Sequence, residues 1–246
     1  MKEYKQNYVA FLDIMGFKSL LSESSCDEVY SIFEILHKKS RTSLNFNFVQ
    51  IKAYDHIYHT ILSDSIVLYI ESDIDDAFAA LLDVCYRLQL SLANRDKPIL
   101  LRGGISIGEL FYENDIIYGE GLTKAYLLES NLAKYPRIIF SGDILKLGIS
   151  NAKHMYRFLK CVIPIYKLDD DSFYILDYLL ADYLNTNDKI KYFDRLQETC
   201  DYYLNKEINY SLREKYIWLQ KNIKRAIKIC SNVDDYYKKL EKEQVE

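Results

Sequence analysis

The sequence predicts an α+β fold: a ferredoxin-like, mostly antiparallel sheet with helices on one face and a helical C-terminal extension. Three observations carry this prediction. The apolar run Tyr8–Phe17 is typical of a buried strand. The predicted elements do not alternate as strand and helix throughout, which excludes an all-parallel sheet. From Asp188 onward the chain contains no Gly or Pro and is rich in charged residues and Tyr.

Length and composition narrow the class of protein. A chain of 246 residues can form one large domain with an appendage, and we expect a main domain over residues 1–184 and a helical extension over residues 185–246. The net charge of −4 argues against nucleic-acid binding by charge alone. The five cysteines have no CxxC spacing, so we expect reduced thiols in the cytoplasm. No apolar run is long enough to span a bilayer.

The first half of the chain contains the predicted strand–helix order and one hairpin. Periodicity predicts a strand over residues 7–15 and helices over residues 27–40 and 74–94. Phe46–Leu62 has strand character, and a tight turn joins it to Ile66–Ile70 in a β-hairpin with Asp64 at its tip. If that strand is regular, one face carries Tyr54, His56, Tyr58, Thr60 and Leu62.

The second half begins with a strand over residues 99–111, which Gly103–Gly104 interrupt. Two glycines inside a strand indicate a bulge or a close backbone approach. The acidic run Asp169–Asp171 is expected to be the solvated turn of a hairpin. The remaining predicted elements are a helix over residues 121–134, a strand over 137–140, a short helix to about 147, and helices over 187–207, 210–231 and 234–244.

Asp13 is the residue whose chemistry most needs to be accounted for. An ionised carboxylate inside a buried apolar strand is costly unless a cation or several donors compensate it. In the predicted sheet the first and third strands are neighbours, so Asp13 and Asp64 converge at one edge. Two carboxylates without His or Cys suit Mg²⁺ or Mn²⁺, with phosphate and water completing the coordination. The alternatives are a hydrogen-bonded structural Asp13 and an ordinary turn residue at Asp64.

The residues after Asp13 add a second feature. Ile14–Phe17 forms a strand-to-helix turn that contains Gly16. Such a turn presents backbone N–H groups to anionic oxygens, so Ile14, Gly16 and Phe17 are candidates for substrate contacts.

Several segments resemble the class III nucleotide cyclases over roughly residues 7–141. They are Phe11–Phe17, Ser63–Ser65, Leu101–Gly108 and Tyr118–Glu129. The resemblance implies the class III cyclase catalytic fold in residues 1–184. It also implies a two-metal site held by Asp13, Asp64 and the Ile14 carbonyl. It further implies a homodimer whose active sites lie at the interface and bind a nucleoside triphosphate.

This sequence departs from the purine cyclases at four positions. Thr60 and Ile116 replace the pair that reads the purine base, and Thr123 and Leu127 replace the usual transition-state Asn and Arg. The chain is more similar to the bacterial pyrimidine cyclases of Pycsar antiphage systems, including the tail around Arg213–Leu219. That similarity implies conversion of UTP or CTP to the 3′,5′-cyclic monophosphate and pyrophosphate, as a messenger for a separate effector.

The remaining candidate residues would complete the substrate site. Tyr54, Tyr58 and Thr60 are candidates to fill a pocket for a base smaller than a purine. For the triphosphate and the transition state the candidates are Arg102, Lys124 and Thr123. Arg102 is equally compatible with a surface ion pair, and Lys124 with a solvated helix position.

Three rival functions stay open at this point. The first is a purine cyclase that reads its base with other residues. The second is a catalytically inactive cyclase-fold module that binds a nucleotide or a protein partner. A template-directed polymerase palm is the weakest rival, because no basic strip is evident in the sequence.

Overall fold

The structure is a computed structural model that describes residues 2–40, 45–46, 49–155, 165–181 and 185–243. The strands are β1 (Lys5–Ile14), β2 (Asn45–Phe46), β3 (Val49–Gln50), β4 (Tyr58–Leu62), β5 (Ser65–Glu71), β6 (Leu101–Glu113), β7 (Ile116–Tyr118), β8 (Ile138–Phe140), β9 (Tyr166–Leu168) and β10 (Tyr174–Leu176). The α-helices are α1 (Phe17–Glu23), α2 (Cys26–Ser40), α3 (Ala77–Ala93), α4 (Glu120–Leu127), α5 (Gly142–Ser150), α6 (Thr186–Leu204) and α7 (Tyr210–Glu243).

The main sheet has the strand order β4-β5-β1-β6-β8-β10-β9, and β7 pairs with β6. Among the described strands every pairing is antiparallel except β6 with β8. The hairpin β4–β5 and the neighbouring position of β5 and β1 are as predicted. The predicted α+β class, with a mostly antiparallel sheet and C-terminal helices, is therefore confirmed.

Strand β1 is buried on both faces, which explains its nearly continuous apolar sequence. Tyr8, Ala10 and Leu12 share a hydrophobic cluster with α3. Val9 and Phe11 point the other way, into a cluster that contains Ala125 of α4. Helices thus cover both faces of the sheet, and the prediction that they lie on one face was wrong. The two-sided burial of β1 requires a cover on each side.

The paired glycines of β6 mark a close backbone approach. The register between β1 and β6 continues without interruption through Gly103 and Gly104, so there is no bulge in this ladder. A Cβ atom on Gly104 would lie 2.7 Å from the carbonyl oxygen of Ala125, and one on Gly108 would lie 2.8 Å from the backbone nitrogen of Gly121. Helix α4 therefore packs directly on the backbone of β6, which only glycine permits.

The stretch Phe46–Leu62 is not a single strand, and this prediction was wrong. Residues Lys52–His56 form a 3-10 turn between β3 and β4. The turn directs Tyr54 into the core, where its hydroxyl donates to Asp83 Oδ2 of α3 at 2.8 Å. Tyr54 consequently does not share a strand face with Tyr58. A buried turn and a buried strand have similar apolar composition, so the sequence pattern does not separate them.

The acidic run in the hairpin β9–β10 is not a fully solvated turn, so the prediction made for Asp169–Asp171 was wrong in this respect. Arg137 is 3% exposed and lies 2.5 Å from Asp169 Oδ2, and it also pairs with Asp171. Lys221 of α7 lies 2.9 Å from Asp170. Each carboxylate of the run thus has a cation partner, and the hairpin attaches α7 to the sheet.

The C-terminal helices differ from the prediction in number. Residues predicted as helices 210–231 and 234–244 form the single helix α7, because no Gly or Pro interrupts the sequence between them; residue 244 lies outside the described residues. Buried residues of α6 and α7, among them Tyr192 and Leu219, belong to the same core cluster as α3.

The boundary at residues 184–185 stays a prediction, since residues 182–184 also lie outside the described ranges. Helix α4 ends earlier than predicted, and a π-helical turn at Leu128–Leu132 follows it. None of the helices in the described ranges combines the length and apolarity that crossing a membrane would require.

Candidate active site

Asp13 and Asp64 lie at the same end of neighbouring strands, as the sequence predicted. Asp13 is the penultimate residue of β1 and is paired with Ser65, the first residue of β5. Asp64 belongs to the turn just before Ser65, and its carbonyl accepts a hydrogen bond from the Ile14 N–H at 3.0 Å. The Asp13 side chain is 16% exposed. The strand pairing of Asp13 with Ser65 and the hydrogen bond from Ile14 to Asp64 thus hold the two aspartates at one edge of the sheet.

Arg102 is the direct cross-strand neighbour of Asp13 on β6. Its Nε donates to Asp13 Oδ2 at 2.9 Å. Its Nη2 lies 2.7 Å from Glu129 Oε1. The two groups form an ion pair, but the angle at the contact is not that of a hydrogen bond. With 26% of its side chain exposed, Arg102 bridges two carboxylates at the site and is not a surface ion pair. It therefore orients Asp13 directly.

The carboxyl groups of the site are held in surroundings that disfavour their charge. Burial raises the pKa of Asp13 above its ordinary value, and the charge of Asp64 adds to this, whereas Arg102 opposes it. Burial likewise raises the pKa of Glu129, which is also influenced by Asp13 and Asp64. Asp13, Asp64 and Glu129 carry more negative charge than Arg102 and Lys215 compensate, and a bound cation would offset the excess.

Glu129 is a site residue that the sequence reasoning did not identify. It stands in the π-helical turn after α4, with 4% of its side chain exposed, and its partner is Arg102. The sequence does contain a pattern that indicates Glu129. Gly121, Ala125 and Glu129 are spaced by four residues and share one helical face. The two small residues allow α4 to approach β6, and the acid at the end of that face meets Arg102.

The turn after Asp13 is only partly available for anion binding. The N–H of Ile14 donates to Asp64 and that of Met15 donates to the Leu100 carbonyl at 2.9 Å. Gly16 has φ +74°, a left-handed conformation that favours glycine, and it precedes α1. Of the three predicted turn residues, Gly16 and Phe17 are therefore the candidate N–H donors, because the Ile14 N–H is already bonded to Asp64.

Tyr58 and Thr60 lie on the same face of the sheet as Asp13. Their cross-strand partners on β5 are Tyr69 and Val67, which belong to the cluster beneath α4. The Tyr58 ring stacks on Tyr69 with a centroid distance of 5.7 Å and also contacts Tyr112 at 5.4 Å. This face carries an aromatic cluster, whereas Tyr54, the third pocket candidate, is buried against α3.

The candidate residues of α4 point away from the carboxylates of their own chain. Thr123 and Lys124 are exposed, and the Thr123 hydroxyl donates to the Gly119 carbonyl at 3.2 Å. Lys124 Nζ lies 2.8 Å from Glu120 Oε1 in an exposed pair. Leu127 and Ile116 are also exposed. Within one described protomer these four residues are therefore not brought together with Asp13.

Replacing Arg102 by glutamine is expected to destabilise the fold in a pH-dependent way. The variant leaves Asp13 and Glu129 without their shared cation, so the pKa of both carboxyls rises further. We expect a loss of about 2 kcal/mol in the free energy of unfolding at pH 7. The loss shrinks as the pH falls through their raised pKa values, because a protonated carboxyl no longer attracts Arg102.

Denaturant unfolding at pH 7 and at pH 4 measures this difference. Arg213→Gln is the control, since Arg213 is exposed and its Nη1 donates to the backbone carbonyl of Leu204. The control should lose the same small amount at both pH values. An Arg102→Gln penalty that is equal at both pH values would contradict the bridging role.

Among known proteins, the chain has matches in solved structures alone. No protein-family model matches the sequence, and no curated protein matches it. Among solved structures, the chain is similar to the guanylyl cyclase Cya2, with 16% identity and a TM-score of 0.45 over 60% of this chain and 80% of that one. It is also similar to the catalytic core of a rhodopsin-guanylyl cyclase with converted specificity in complex with ATPalphaS, with 13% identity and a TM-score of 0.47 over 71% and 97% of the two chains.

A third similar structure is an adenylate/guanylate cyclase/hydrolase from Silicibacter pomeroyi, with 14% identity and a TM-score of 0.46 over 71% of this chain and 95% of that one. Since the identities are low and these TM-scores lie below 0.5, the functional conclusion has to come from the residues of the site itself.

Proposed function

We propose that this protein is a metal-dependent nucleotide cyclase. The single observation that carries the proposal is the placement of Asp13 and Asp64 at one sheet edge, joined by the Ile14–Asp64 backbone hydrogen bond. The pKa of the largely buried Asp13 is raised even though Arg102 donates to it, so a further cation would stabilise its charged form. Phosphoryl-transfer enzymes use carboxylates in this way to hold the metals that bind the triphosphate.

The residues at this edge fit a hard divalent cation. The Asp13 and Asp64 carboxylates and the Ile14 carbonyl would hold Mg²⁺ or Mn²⁺, since all are oxygen donors. No group of three His, Cys, Asp or Glu side chains within the described ranges is arranged to hold an ion without help. The other ligands would therefore be triphosphate oxygens and water, which is the usual arrangement for Mg²⁺. Arg102 already engages Asp13 Oδ2, so we assign Oδ1 to the metal.

The proposed chemistry divides between the metals and the side chains. Bound metals would lower the pKa of the ribose 3′-hydroxyl and neutralise the triphosphate while the 3′-oxygen attacks the α-phosphorus and pyrophosphate leaves. Arg102 keeps Asp13 in one rotamer for this purpose. The N–H groups of Gly16 and Phe17 would contact phosphate oxygens.

We further propose a homodimer in which α4 of one protomer completes the site of its partner. Thr123 and Lys124 lie on the exposed side of α4, and the large apolar residues Tyr126 and Leu127 on that helix are exposed as well. A dimer would bury this apolar surface. It would also bring Thr123 and Lys124 next to a nucleoside triphosphate bound by the partner protomer, since they do not reach the carboxylates of their own protomer.

The proposed substrate is a pyrimidine nucleotide, UTP or CTP. Thr60 stands where purine cyclases carry a base-reading Lys or Glu, and the neighbouring Tyr58, Tyr69 and Tyr112 rings fill space on the same face. Aromatic rings can stack on a smaller base. The sequence resemblance to Pycsar cyclases supports the further proposal that the product is an antiphage messenger read by a separate effector.

Incubation of the purified protein with each of the four nucleoside triphosphates and Mn²⁺ tests this function. We expect a 3′,5′-cyclic monophosphate and pyrophosphate, identified by mass, from UTP or CTP. Product from ATP or GTP alone would overturn the pyrimidine assignment in favour of a purine cyclase. Nucleotide binding without any product would overturn catalysis in favour of an inactive binding module.

A further inference from the structure

A cavity of about 820 Å³ lies between the segment that follows the end of β1, including α1, and the C-terminal helices α6 and α7. Its walls include Met15 and Gly16, which follow Asp13 on the turn to α1, and residues 94–100 after α3. Lys215 and Tyr216 of α7 form part of the opposite wall. The C-terminal extension therefore shares a cavity with the turn that follows the candidate metal ligand.

Lys215 differs from Lys221 and Arg225 of the same helix in its ion pairing. Lys221 pairs with Asp170 and Arg225 pairs with Asp177, but Lys215 forms no ion pair with any residue that the structure describes. Its side chain is half-buried. Burial lowers the pKa of Lys215 and Arg102 lowers it further, whereas Asp13 raises it, so Lys215 senses both site residues. No carboxylate among the described residues lies within ion-pair distance of this half-buried ammonium, so an anion that reached it would stabilise its charge.

Arg102 and Lys215, two cations at this end of the sheet, differ in whether they already form an ion pair with a carboxylate. Arg102 is engaged by Asp13 through Nε and by Glu129 through Nη2. Lys215 and Lys97 both line the cavity, and neither forms an ion pair with a described residue; of the two, Lys215 is the one that interacts electrostatically with Asp13 and Arg102. A triphosphate that contacts the Gly16 turn would present oxygens to the cavity that Lys215 lines.

Several side chains near Lys215 anchor helix α7 to the rest of the protein. Arg225 pairs with the buried Asp177, and the Trp218 ring stacks on Tyr135 with a centroid distance of 5.5 Å and an interplanar angle of 4°. Tyr216 stacks on Tyr203 of α6 at 4.3 Å. These contacts lie within three turns of Lys215 on the same helix, so its ammonium is presented from a rigid element.

We propose that Lys215 binds the triphosphate of the substrate within its own protomer, so that the C-terminal extension forms part of the active site. This inference rests on the proposed cyclase function and deepens it. It assigns the extension a role in substrate binding.

Titration of inorganic tripolyphosphate into the full-length, metal-free protein tests the proposal by calorimetry. Lys215→Gln should weaken tripolyphosphate binding about tenfold, because one charge-assisted contact is lost. Lys215→Arg should bind within about threefold of the wild type, since it keeps the charge. Lys224→Gln is the matched control, an exposed lysine on the same helix that should bind like the wild type. Wild-type affinity in Lys215→Gln would overturn the proposal.

The cyclase assay separates this inference from the proposed function. If the wild type forms a cyclic product, Lys215→Gln should raise the KM for the nucleotide about tenfold with little change in kcat. An unchanged KM together with unchanged tripolyphosphate binding would overturn the Lys215 role while the cyclase function stands. If the wild type forms no product but Lys215→Gln still loses tripolyphosphate binding, the cyclase function fails and the anion site stands.

Discussion

Cyclic nucleotide formation should fall at least about 1,000-fold when either Asp13 or Asp64 is replaced by asparagine, which corresponds to about 4 kcal/mol of lost transition-state stabilisation. An amide keeps the shape of the carboxyl group but carries no charge, so it binds a divalent cation weakly. The measurement is the initial rate with the best nucleoside triphosphate and Mn²⁺. Higher Mn²⁺ concentrations should recover only part of the activity, because the missing ligand is anionic.

The loss of activity in these variants is expected without a loss of folding. Burial raises the pKa of Asp13, which means that folding stabilises the neutral form of this side chain relative to its charged form. Asparagine is neutral, so Asp13→Asn should be about as stable as the wild type at pH 7. Asp143→Asn is the control, because Asp143 has a 95% exposed side chain on α5 and should keep full activity. An active Asp13→Asn or Asp64→Asn enzyme would contradict the proposed metal site.

Replacing Gly104 by alanine should destabilise the fold by about 3 kcal/mol or more. A Cβ atom at this position would lie 2.7 Å from the Ala125 carbonyl oxygen and 3.0 Å from the Glu129 nitrogen, and it would also overlap Leu128. Two of these atoms belong to the backbone and are not free to rotate away. Relief of the overlap would require α4 to move off β6, which would carry Glu129 away from Arg102. We therefore expect lower stability and lower activity together.

Thermal or denaturant unfolding of Gly104→Ala measures this effect, with Gly142→Ala as the matched control. At Gly142 in α5 the nearest atom to a new Cβ is 3.4 Å away, an ordinary contact, and alanine favours a helix. The control should stay within about 0.5 kcal/mol of the wild type. If Gly104→Ala is as stable as Gly142→Ala, α4 does not pack on the β6 backbone as described.

The pairing of Asp13 with Asp64 was predictable because it depends on local patterns and one topological rule. The strand of Asp13 and the hairpin of Asp64 are each visible as apolar and β-branched runs with a turn between them. Placing the first and third strands side by side then brings the two carboxylates together. The close approach at Gly103–Gly104 was predictable for the same kind of reason, since glycine inside a strand usually marks either a bulge or a neighbouring backbone that lies too close for a side chain.

Features that depend on distant partners were not predictable in this way. Tyr54 leaves the strand pattern because its hydroxyl reaches Asp83, 29 positions away. Asp169 and Asp171 of the acidic run are held by Arg137, more than 30 positions earlier in the chain. Periodicity reports which side of a local element is apolar, but it does not report which charge or hydroxyl from elsewhere will meet it.

By itself, the sequence determined the α+β class, the hairpin, and the convergence of Asp13 and Asp64 at one edge of the sheet, because spacing along two neighbouring strands sets these features. Only the tertiary structure decided that Arg102 bridges Asp13 to Glu129 and that Lys215 lines the cavity beside Gly16. The physical reason is that Arg102 and Lys215 act through ion pairs and burial between elements far apart in the chain. Those surroundings exist only after α4 and α7 have packed against the sheet.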